Sequence, residues 1–187
     1  MKKALVVDDE PLIRRQFADA LTDYGFDELY EAADGSQAVA MAATHQPLLI
    51  VMDVTMPVLD GISAAQRINK NPSGALVLLT GTTDQDTVAR AQDAGVHHYL
   101  MKPFNAQQLK ITVDLAIHQF IQISNLRDEV TALKESLETR KLIDRAKALL
   151  ISRGMTEPQA HRKIQKLAMD KRKSLKEVAE AVLLMAD

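Results

Sequence analysis

Five polar side chains of this sequence follow or end four apolar runs, and their types suit the transfer of a phosphoryl group. Asp8 and Asp9 follow ALVV, Asp53 follows LLIVM, Thr80 ends ALVLLT and Lys102 follows HYLM. Three neighbouring carboxylates stay ionised most readily around a hard cation, and Mg²⁺ suits them because it binds oxygen ligands and keeps waters. Asp53 would then be the nucleophile that accepts the group, while Lys102 and the metal screen the developing charge.

Each of these residues also has an ordinary explanation when it is taken alone. An acid that follows a strand usually caps the next helix, which applies to Asp8 and Asp9. Thr80 alone would be a turn residue, and Lys102 a solvated surface charge. The functional interpretation is favoured because the five residues lie at four strand ends, and the carboxyl ends of parallel strands gather ligand chemistry.

Strand and helix signals alternate over residues 1–118, which predicts the α/β class with a five-stranded, doubly wound parallel sheet. The run before Asp53 is apolar throughout, which is typical of a strand buried on both faces. The predicted strands are Ala4–Val7, Leu29–Ala32, a strand around Ile50, Ala75–Leu79 and His98–Met101. The predicted helices are Pro11–Tyr24, Gly35–His45, Ile62–Ile68 and Asp84–Ala94. Four side chains of the first helix are expected to face the core: Leu12, Phe17, Ala20 and Leu21.

The composition is in the ordinary range for soluble globular proteins, with 47% apolar and 26% charged residues among 187. No cysteine is present, which excludes disulfides and thiolate metal sites. No apolar run reaches the ~18 residues of a membrane span, and the start MKKALVVDDEP resembles a first strand more than a signal peptide. We therefore expect a cytoplasmic protein without a membrane segment.

The net charge of −2 conceals an asymmetry along the chain. Residues 1–118 carry a net charge of −6, residues 119–139 of −2 and residues 140–187 of +6. An acidic first part and a basic last part predict different partners for the two. We therefore divide the chain into a first domain at 1–118, a helical linker at 119–139 and a second domain at 140–187.

A long helix is predicted after the sheet. Asn105 and Gln108 have the spacing of a capping box, and no glycine or proline follows before Gly154, which allows one helix of about 48 residues. Within it, apolar residues alternate spacings of three and four, as in the a and d positions of a coiled coil: Ile123, Leu126, Val130, Leu133 and Leu137. A parallel homodimeric coiled coil is favoured over an intramolecular helix pair, because no nearby partner helix is evident in the chain.

Residues 140–187 predict a small three-helix, all-α domain. Thr156 with Gln159, and Ser174 with Glu177, have the spacing of capping boxes that begin two short helices. The apolar face of the last helix is expected to consist of Leu175, Val178, Ala179, Val182 and Leu183. The candidate nucleic-acid contacts are all basic: Lys147, Arg153, Arg162, Lys163, Lys166, Lys171, Arg172 and Lys173. A solvated helix face is the alternative, and the domain has no aromatic residue on which a base could stack.

The segments LVVDDEP, MDVTMPVLDG, LLTG and YLMKPF resemble the receiver domain of two-component response regulators, whose fold is flavodoxin-like. The resemblance implies that Asp53 is the phosphoacceptor and that a sensor histidine kinase is the donor. It places Mg²⁺ on Asp8, Asp9, Asp53 and the Thr55 backbone carbonyl. It places the phosphoryl group against Thr80 and Lys102, and makes Thr80 and Tyr99 a switch pair. It also implies a Lys102–Pro103 bond that is often cis in this family.

The segment RKLIDRAKALLISRGMTEPQAHRKIQKLAMDKRKSLKEVAEAVL resembles the ANTAR domain, a three-helix RNA-binding module of transcription antiterminators. The shared features are four alanines, the RAK run at 145–147 and the pattern Leu-x-x-Val-Ala at 175–179. One departure is His161, where the family more often has an aromatic residue. The resemblance implies binding to RNA hairpins that compete with a terminator, often by a dimer that engages two hairpins.

Together these features predict a phosphorylation-controlled antiterminator with no enzymatic output beyond slow loss of its own phosphoryl group. Two rivals stay open. The last two helices could form a DNA-binding helix-turn-helix, because the turn at Asp170–Lys173 is short. Alternatively, the basic helices could dock an acidic protein.

Overall fold

The structure is a computed structural model that describes residues 1–81, 85–96 and 98–184. Its strands are β1 (Lys3–Val7), β2 (Glu28–Ala32), β3 (Leu49–Asp53), β4 (Ala75–Thr80) and β5 (His98–Met101). Its helices are α1 (Pro11–Tyr24), α2 (Gly35–His45), α3 (Gly61–Ile68), α4 (Gln85–Asp93), α5 (Ala106–Ser152), α6 (Glu157–Lys171) and α7 (Leu175–Leu184). The chain forms two compact units, Met1–Ile123 and Ser124–Asp187, and α5 contributes to both. Among the described helices, none combines the length and apolarity needed to cross a membrane.

The sheet confirms the predicted fold class. Its order is β2-β1-β3-β4-β5, and every neighbouring pair is parallel. The strands that carry the candidate residues at their ends, β1, β3, β4 and β5, are therefore consecutive in the sheet. Their carboxyl ends meet at one edge, where such sheets bind ligands.

Two apolar layers cover the sheet, one on each face. Helices α2, α3 and α4 pack on one face, around Ile50, Met52 and Leu78. Helix α1 and the first part of α5 pack on the other, around Leu49, Val51 and Val77. Every residue of β3 is buried, which confirms that the strand before the loop at Asp53 is covered on both faces.

Two expected core positions are wrong. Leu12 is 69% exposed, and the partly buried Ile13 packs against the core instead. At about 100° per residue, Ile13 lies about 40° from the buried Phe17 on the helix surface, whereas Leu12 lies about 140° away. Leu175, the first residue of α7, is 37% exposed, whereas Val178 and Ala179 are buried as expected.

Helix α5 begins at the predicted capping box. The backbone N–H of Gln108 donates to Asn105 Oδ1 at 2.8 Å, and the N–H of Asn105 donates to Gln108 Oε1 at 2.9 Å. The helix runs for 47 residues, and Gly154 follows it with a φ of +93°. Four residues of the predicted seam, Leu126, Val130, Leu133 and Leu137, are between 47% and 60% exposed. Their apolar face is thus uncovered within the described chain.

The second unit has its own core, formed where α5, α6 and α7 meet. The buried residues are Ala146, Leu150, Ala160, Ile164, Ala168, Val178 and Ala179. Both predicted capping boxes are present: the N–H of Thr156 donates to Gln159, and the N–H of Ser174 donates to Glu177. These capping hydrogen bonds stabilise the starts of α6 and α7, and they add to the stability of a unit whose small core alone would be marginal.

Candidate functional site

Three of the predicted side chains meet at the carboxyl edge of the sheet. Asp53 is the last residue of β3, Asp8 follows β1 and Lys102 follows β5. The Lys102 ammonium lies 2.8 Å from Asp53 Oδ1 and 2.9 Å from Asp8 Oδ2. Asp8 is only 1% exposed and Asp53 only 7%. Two nearly buried carboxylates therefore share one cation, because an unpaired buried charge would be strongly unfavourable.

The electrostatics of this cluster oppose ionisation of Asp53. Burial raises the pKa of the Asp53 carboxyl, and the charge of Asp8 adds to that, whereas hydrogen bonds from Lys102 and Thr55 lower it. Burial also works against the charged form of Lys102, but its bonds to Asp53 and Asp8 prevail and raise the pKa of the ammonium. Lys102 is therefore protonated, whereas the negative charge of Asp53 is only partly balanced by its neighbours. Added positive charge at this point would relieve that deficit.

Two glycines allow the loop between β3 and α3 to close over the site. A Cβ at Gly61 would collide with the backbone oxygen of Asp53, and one at Gly35 with that of Leu59. The N–H of Gly61 donates to the carbonyl of Val54 at 2.9 Å. This closure directs the N–H of Thr55 to Asp53 Oδ2, at 3.2 Å. The glycine of the MDVTMPVLDG motif thus positions the carboxylate indirectly, through close backbone approach.

The loop after β1 is held by a residue that the sequence reasoning missed. Arg14 Nη1 donates to the backbone carbonyl of Asp8 at 2.7 Å and to that of Asp9 at 3.3 Å. Arg14 Nε also lies 3.3 Å from Glu31 Oε2, which anchors the guanidinium. The sequence contains one signal for this role: Arg14 lies in the first turns of the helix that follows Asp8 and Asp9. Arg14 fixes the backbone that presents the Asp8 carboxylate.

The donor atoms at the site fit Mg²⁺ in their chemistry. Asp8 and Asp53 supply carboxylate oxygens, and the Thr55 carbonyl belongs to the adjoining loop. Asp9 is exposed, and in the described part of the chain no three Asp, Glu, His or Cys side chains are close enough to hold an ion together. Mg²⁺ commonly needs only one or two carboxylates, since waters complete its shell. The pair Asp8 and Asp53 meets that requirement, and their poorly compensated charge favours a cation.

Thr80 and Tyr99 lie on adjacent strands beside the site. Thr80 ends β4 and is buried, whereas Tyr99 in β5 is 44% exposed. Both line a cavity of about 20 Å³, together with Val54, Leu78, Thr87, Val88 and Ala91. The peptide bond Lys102–Pro103 is cis, as the sequence resemblance implied.

The structure divides the eight basic candidates of the second unit into distinct groups. Lys147 bonds Asp144 at 2.8 Å, lies 3.9 Å from Glu157, and has a side chain only 21% exposed. Lys173 pairs with Glu177 at 3.2 Å, and Arg153 is exposed. Five others are exposed and make no ion pair with any described residue: Arg162, Lys163, Lys166, Lys171 and Arg172. Among the eight candidates, the residues without an ion pair in the described chain are therefore concentrated on α6 and at its carboxyl end.

Asp53→Asn is expected to stabilise the metal-free protein at pH 7. The folded pKa of Asp53 lies above its ordinary 3.8, so the native state binds more protons than the unfolded chain just above that pH. Stability therefore falls as the pH rises through this window. Asparagine removes the ionisation, and its side-chain oxygen still accepts from Lys102 and Thr55. Urea unfolding in EDTA should show a more stable variant at pH 7, with an advantage that narrows as the pH approaches 3.8.

Magnesium should reverse that order. A ligand that binds only the native state stabilises it by about 2.7 kcal/mol at 100 times its Kd, and the wild type should gain more than Asp53→Asn does. A variant that is less stable than wild type in EDTA at neutral pH would contradict the electrostatic account.

Comparison with known proteins identifies both units. The family model of the response regulator receiver domain matches residues 4–114, and that of the ANTAR domain matches residues 131–183. The transcriptional regulatory protein PdtaR of Mycobacterium tuberculosis is 46% identical over 183 residues, which cover 97% of this chain and 89% of that protein. The chemotaxis protein CheY of Bacillus subtilis is 35% identical over 108 residues, or 57% of this chain and 90% of that protein.

The fold of the first unit also matches solved structures. Chemotaxis protein CheY4 of Vibrio cholerae aligns with a TM-score of 0.58 and 31% identity, covering 62% of this chain and 98% of that one. The two family models and the full-length relative agree with the five-stranded sheet and the helical second unit. The chain therefore belongs to the response regulators, with a receiver domain at its amino-terminal end and an ANTAR domain at its carboxy-terminal end.

Proposed function

We propose that this response regulator is an RNA-binding transcription antiterminator controlled by phosphorylation of Asp53. The observation that carries the proposal is the shared contact of Lys102 with the nearly buried carboxylates of Asp53 and Asp8. We divide the functions among a receiver at residues 1–118, a helical linker at 119–139 and an RNA-binding domain at 140–187. A cytoplasmic location and an output without enzymatic activity stay predictions from the sequence.

The phosphoryl step uses Asp53 as the nucleophile. One carboxylate oxygen of Asp53 forms the new P–O bond while the P–N bond of a phosphohistidine on the kinase breaks. Lys102 then exchanges its contact with Asp53 Oδ1 for a phosphoryl oxygen, and the Thr55 N–H stays directed at the same place. Mg²⁺, held by Asp8, Asp9, Asp53 and the Thr55 carbonyl, would supply further positive charge to the phosphoryl oxygens.

An apolar cavity next to Lys102 supports a protein as the phosphoryl donor. It has a volume of about 510 Å³, and Ile13, Phe17, Pro103 and Phe104 are among its lining residues. The exposed Leu12 lies on the same helix, α1. A kinase whose histidine approaches Asp53 would cover this surface, and burial of apolar area would hold the transient complex.

The switch proposal depends on the small cavity beside Thr80. A space of about 20 Å³ is enough for one water but too small for a phenol ring. Tyr99 can therefore turn inward only if Thr80 or α4 moves. The phosphoryl group adds about −1.5 to −2 charges and new acceptor oxygens, which would draw the Thr80 hydroxyl towards them. The surface of α4, β5 and α5 would then change.

Beryllofluoride, a stable phosphoryl mimic, should therefore bury Tyr99. With fluorotyrosine labelling, the resonance of Tyr99 should shift and lose solvent accessibility, whereas those of Tyr24 and Tyr30 should not change. Thr80→Ala should weaken this response, because the hydroxyl that couples the site to the cavity is gone. An unchanged Tyr99 in a protein that binds the mimic would contradict the switch.

The RNA-binding proposal depends on the unpaired basic residues of α6 and the turn that follows it. Arg162, Lys166 and Arg172 are exposed and lie near the exposed Met169 in sequence. Phosphate groups attract such a set of cations by releasing bound counterions. Met169 is 79% exposed and could pack against an unstacked base in the absence of aromatic residues. The paired and half-buried Lys147 is better placed to join α5 to α6 than to meet RNA.

A homodimer is proposed for at least the phosphorylated state. The seam of α5 offers five apolar side chains per chain, or ten in a dimer, and each would contribute about 1.5–3 kcal/mol on passing from full exposure to full burial. Four of the five are only between 47% and 60% exposed, so the dimer would gain roughly half of that, about 8–15 kcal/mol in all. Association costs about 4–15 kcal/mol, so a seam of this length gives a marginal dimer by itself. A small contribution from the receiver surface could therefore decide whether the dimer forms.

Competition binding tests the proposed target. A hairpin RNA selected in vitro should be displaced by unlabelled hairpin RNA but not by an equal concentration of duplex DNA. Preferential displacement by duplex DNA would favour the helix-turn-helix rival, in which α6 and α7 flank the turn. Antitermination that survives in a variant that no longer binds RNA would favour the protein-docking rival.

A further inference from the structure

We propose that Val58, at the tip of the loop between β3 and α3, is a specificity-determining contact for the protein that donates the phosphoryl group. A small donor such as acetyl phosphate would not need this contact. The inference rests on the proposed phosphorylation of Asp53, and it adds a residue that distinguishes a protein donor from a small one. It follows from the backbone conformation of Val58, its exposure and its place beside the site.

The backbone at Val58 is held in an unfavourable conformation. Its φ is +66°, in the left-handed region, where the Cβ of an L-residue is crowded and a β-branched residue is an outlier. The N–H of Leu59 donates to the carbonyl of Pro57 at 2.7 Å, across Val58. A bond between residues two apart, with a positive φ at the central one, forms a γ-turn of the rare and strained kind. Glycine adopts this conformation without the steric cost, so valine reduces the stability of the folded chain.

Neighbouring contacts hold the turn in place. The N–H of Gly61 donates to the carbonyl of Val54 at 2.9 Å and closes the base of the loop. The carbonyl of Leu59 accepts from the N–H of Gly35 at 3.1 Å, and the Leu59 side chain packs against the core. A strained conformation persists only where the surrounding structure over-determines it in this way. The loop therefore holds Val58 in one defined orientation.

The same contacts leave the Val58 side chain in solvent. It is 87% exposed, so packing within the chain hardly compensates for the strained backbone. Strained residues that are retained in this way cluster at active sites and ligand-binding segments, where the strain serves a function. We therefore assign the side chain to a contact outside the chain.

The position of Val58 identifies the partner. Its loop begins after Asp53, at the carboxyl edge of the sheet that also presents Asp8 and Lys102. A phosphohistidine must bring its phosphorus within bonding distance of an Asp53 oxygen, and Asp53 is only 7% exposed. The protein surface around that histidine must therefore cover the loops beside Asp53, including the exposed tip. Acetyl phosphate can reach the same oxygen without covering them.

A second exposed apolar residue borders this edge from the other side. Leu12 is 69% exposed and lies in the first turn of α1, four residues after Asp8. The strands that precede Leu12 and Val58, β1 and β3, are neighbours in the sheet. Two apolar side chains thus flank the carboxylates from adjoining strand ends. An apolar surface around the donor histidine would bury both of them, and the burial would stabilise the complex.

The variant Val58→Gly tests the contact, because its two expected effects have opposite signs. Glycine removes the strain and should raise the Tm of the full-length protein by about 2–4 °C. It also removes the apolar contact, so the half-saturating concentration for transfer from a phosphorylated histidine kinase should rise about tenfold. The maximal transfer rate and the rate of labelling by acetyl phosphate should stay at the wild-type values, because Val58 does not touch the reacting atoms.

Two further variants serve as comparisons, with the histidine kinase that labels the wild-type protein fastest among purified candidates as the donor. Val58→Ile keeps the β-branch and the apolar tip, so the Tm and the half-saturating concentration should both stay near the wild-type values. Gln46→Gly is the matched backbone control. Gln46 also has a positive φ, +49°, but it follows α2 at the opposite edge of the sheet. Its replacement should leave transfer from both donors unchanged.

The outcomes separate this inference from the proposed function. Transfer from the kinase at the wild-type half-saturating concentration in Val58→Gly, or equal slowing with both donors, overturns the inference and leaves phosphorylation of Asp53 intact. A Val58→Gly protein that is less stable than wild type also overturns it, because the valine would then be structural. If this variant loses the change of mass with beryllofluoride and Mg²⁺, a second copy occupies Val58 and the inference fails. A wild-type protein that neither donor labels overturns the proposed function itself.

Discussion

The Asp53→Asn variant is expected to incorporate no phosphoryl group from acetyl phosphate or from a histidine kinase. Its amide cannot form the P–O bond, although it can still accept hydrogen bonds from Lys102 and Thr55. The expected effect is a complete loss of labelling, measured by mass spectrometry of the intact chain or by a phosphate-binding gel. This is the largest single-residue effect that the site predicts.

Asp60→Asn is the matched control for that experiment. Asp60 lies in the same loop, and its carboxylate accepts from the N–H groups of Ile62 and Ser63 as the N-cap of α3. Asparagine is an equally good N-cap, so the fold is preserved and labelling should stay at the wild-type level. Labelling of Asp53→Asn at the wild-type rate would identify another acceptor.

Replacement of Arg162, Lys163 and Lys166 by alanine should weaken RNA binding by roughly 100-fold at ~0.1 M salt. The three side chains are exposed on α6 and make no ion pair with described residues, so their loss removes contacts with phosphate rather than with protein. The dependence of log K on log salt should also become shallower, by about 2–3. Alanine is the strongest helix former, which protects the fold of α6.

The control is a second triple variant that removes three positive charges from the first unit instead of from α6. Lys2, Lys70 and Lys110 are exposed residues of the first unit, and their replacement by alanine should leave RNA affinity within about twofold, since the receiver is not proposed to contact RNA. Equal losses in the two triple variants would show that only the overall charge attracts RNA. An unaffected α6 variant would remove α6 from the interface.

Much of the receiver fold could be predicted because its signals are local. Strands β1, β3 and β4 are nearly continuous apolar runs, and polar residues mark their carboxyl ends, as at Asp53 and Thr80. Strand β2, with the sequence ELYEA, contains two glutamates and gave a weaker signal. The order of the strands then brings residues distant in the sequence to one edge. The error at Leu12 came from choosing the wrong one of two neighbouring apolar residues. At about 100° per residue, Ile13 shares the face of Phe17, whereas Leu12 does not.

The arrangement within the site was harder to predict. The sequence indicated three acids around a metal, whereas the structure pairs Asp8 and Asp53 through Lys102 and leaves Asp9 exposed. The basic domain presented the same difficulty. Lys147 belongs to the RAK run at 145–147, but its ammonium forms an ion pair with Asp144. Ion pairs of this kind depend on rotamers and on distances between elements, and residue spacing specifies neither.

The central claim is that negative charge added at Asp53 controls whether the basic domain at residues 140–187 binds RNA. Its most direct test measures hairpin RNA binding and molecular mass on the same sample, with and without beryllofluoride and Mg²⁺. With the mimic, we predict a higher RNA affinity and a mass that changes from one 20.7 kDa chain to two. Asp53→Asn should show neither change. Equal affinity and equal mass in both states of the wild-type protein would contradict the account.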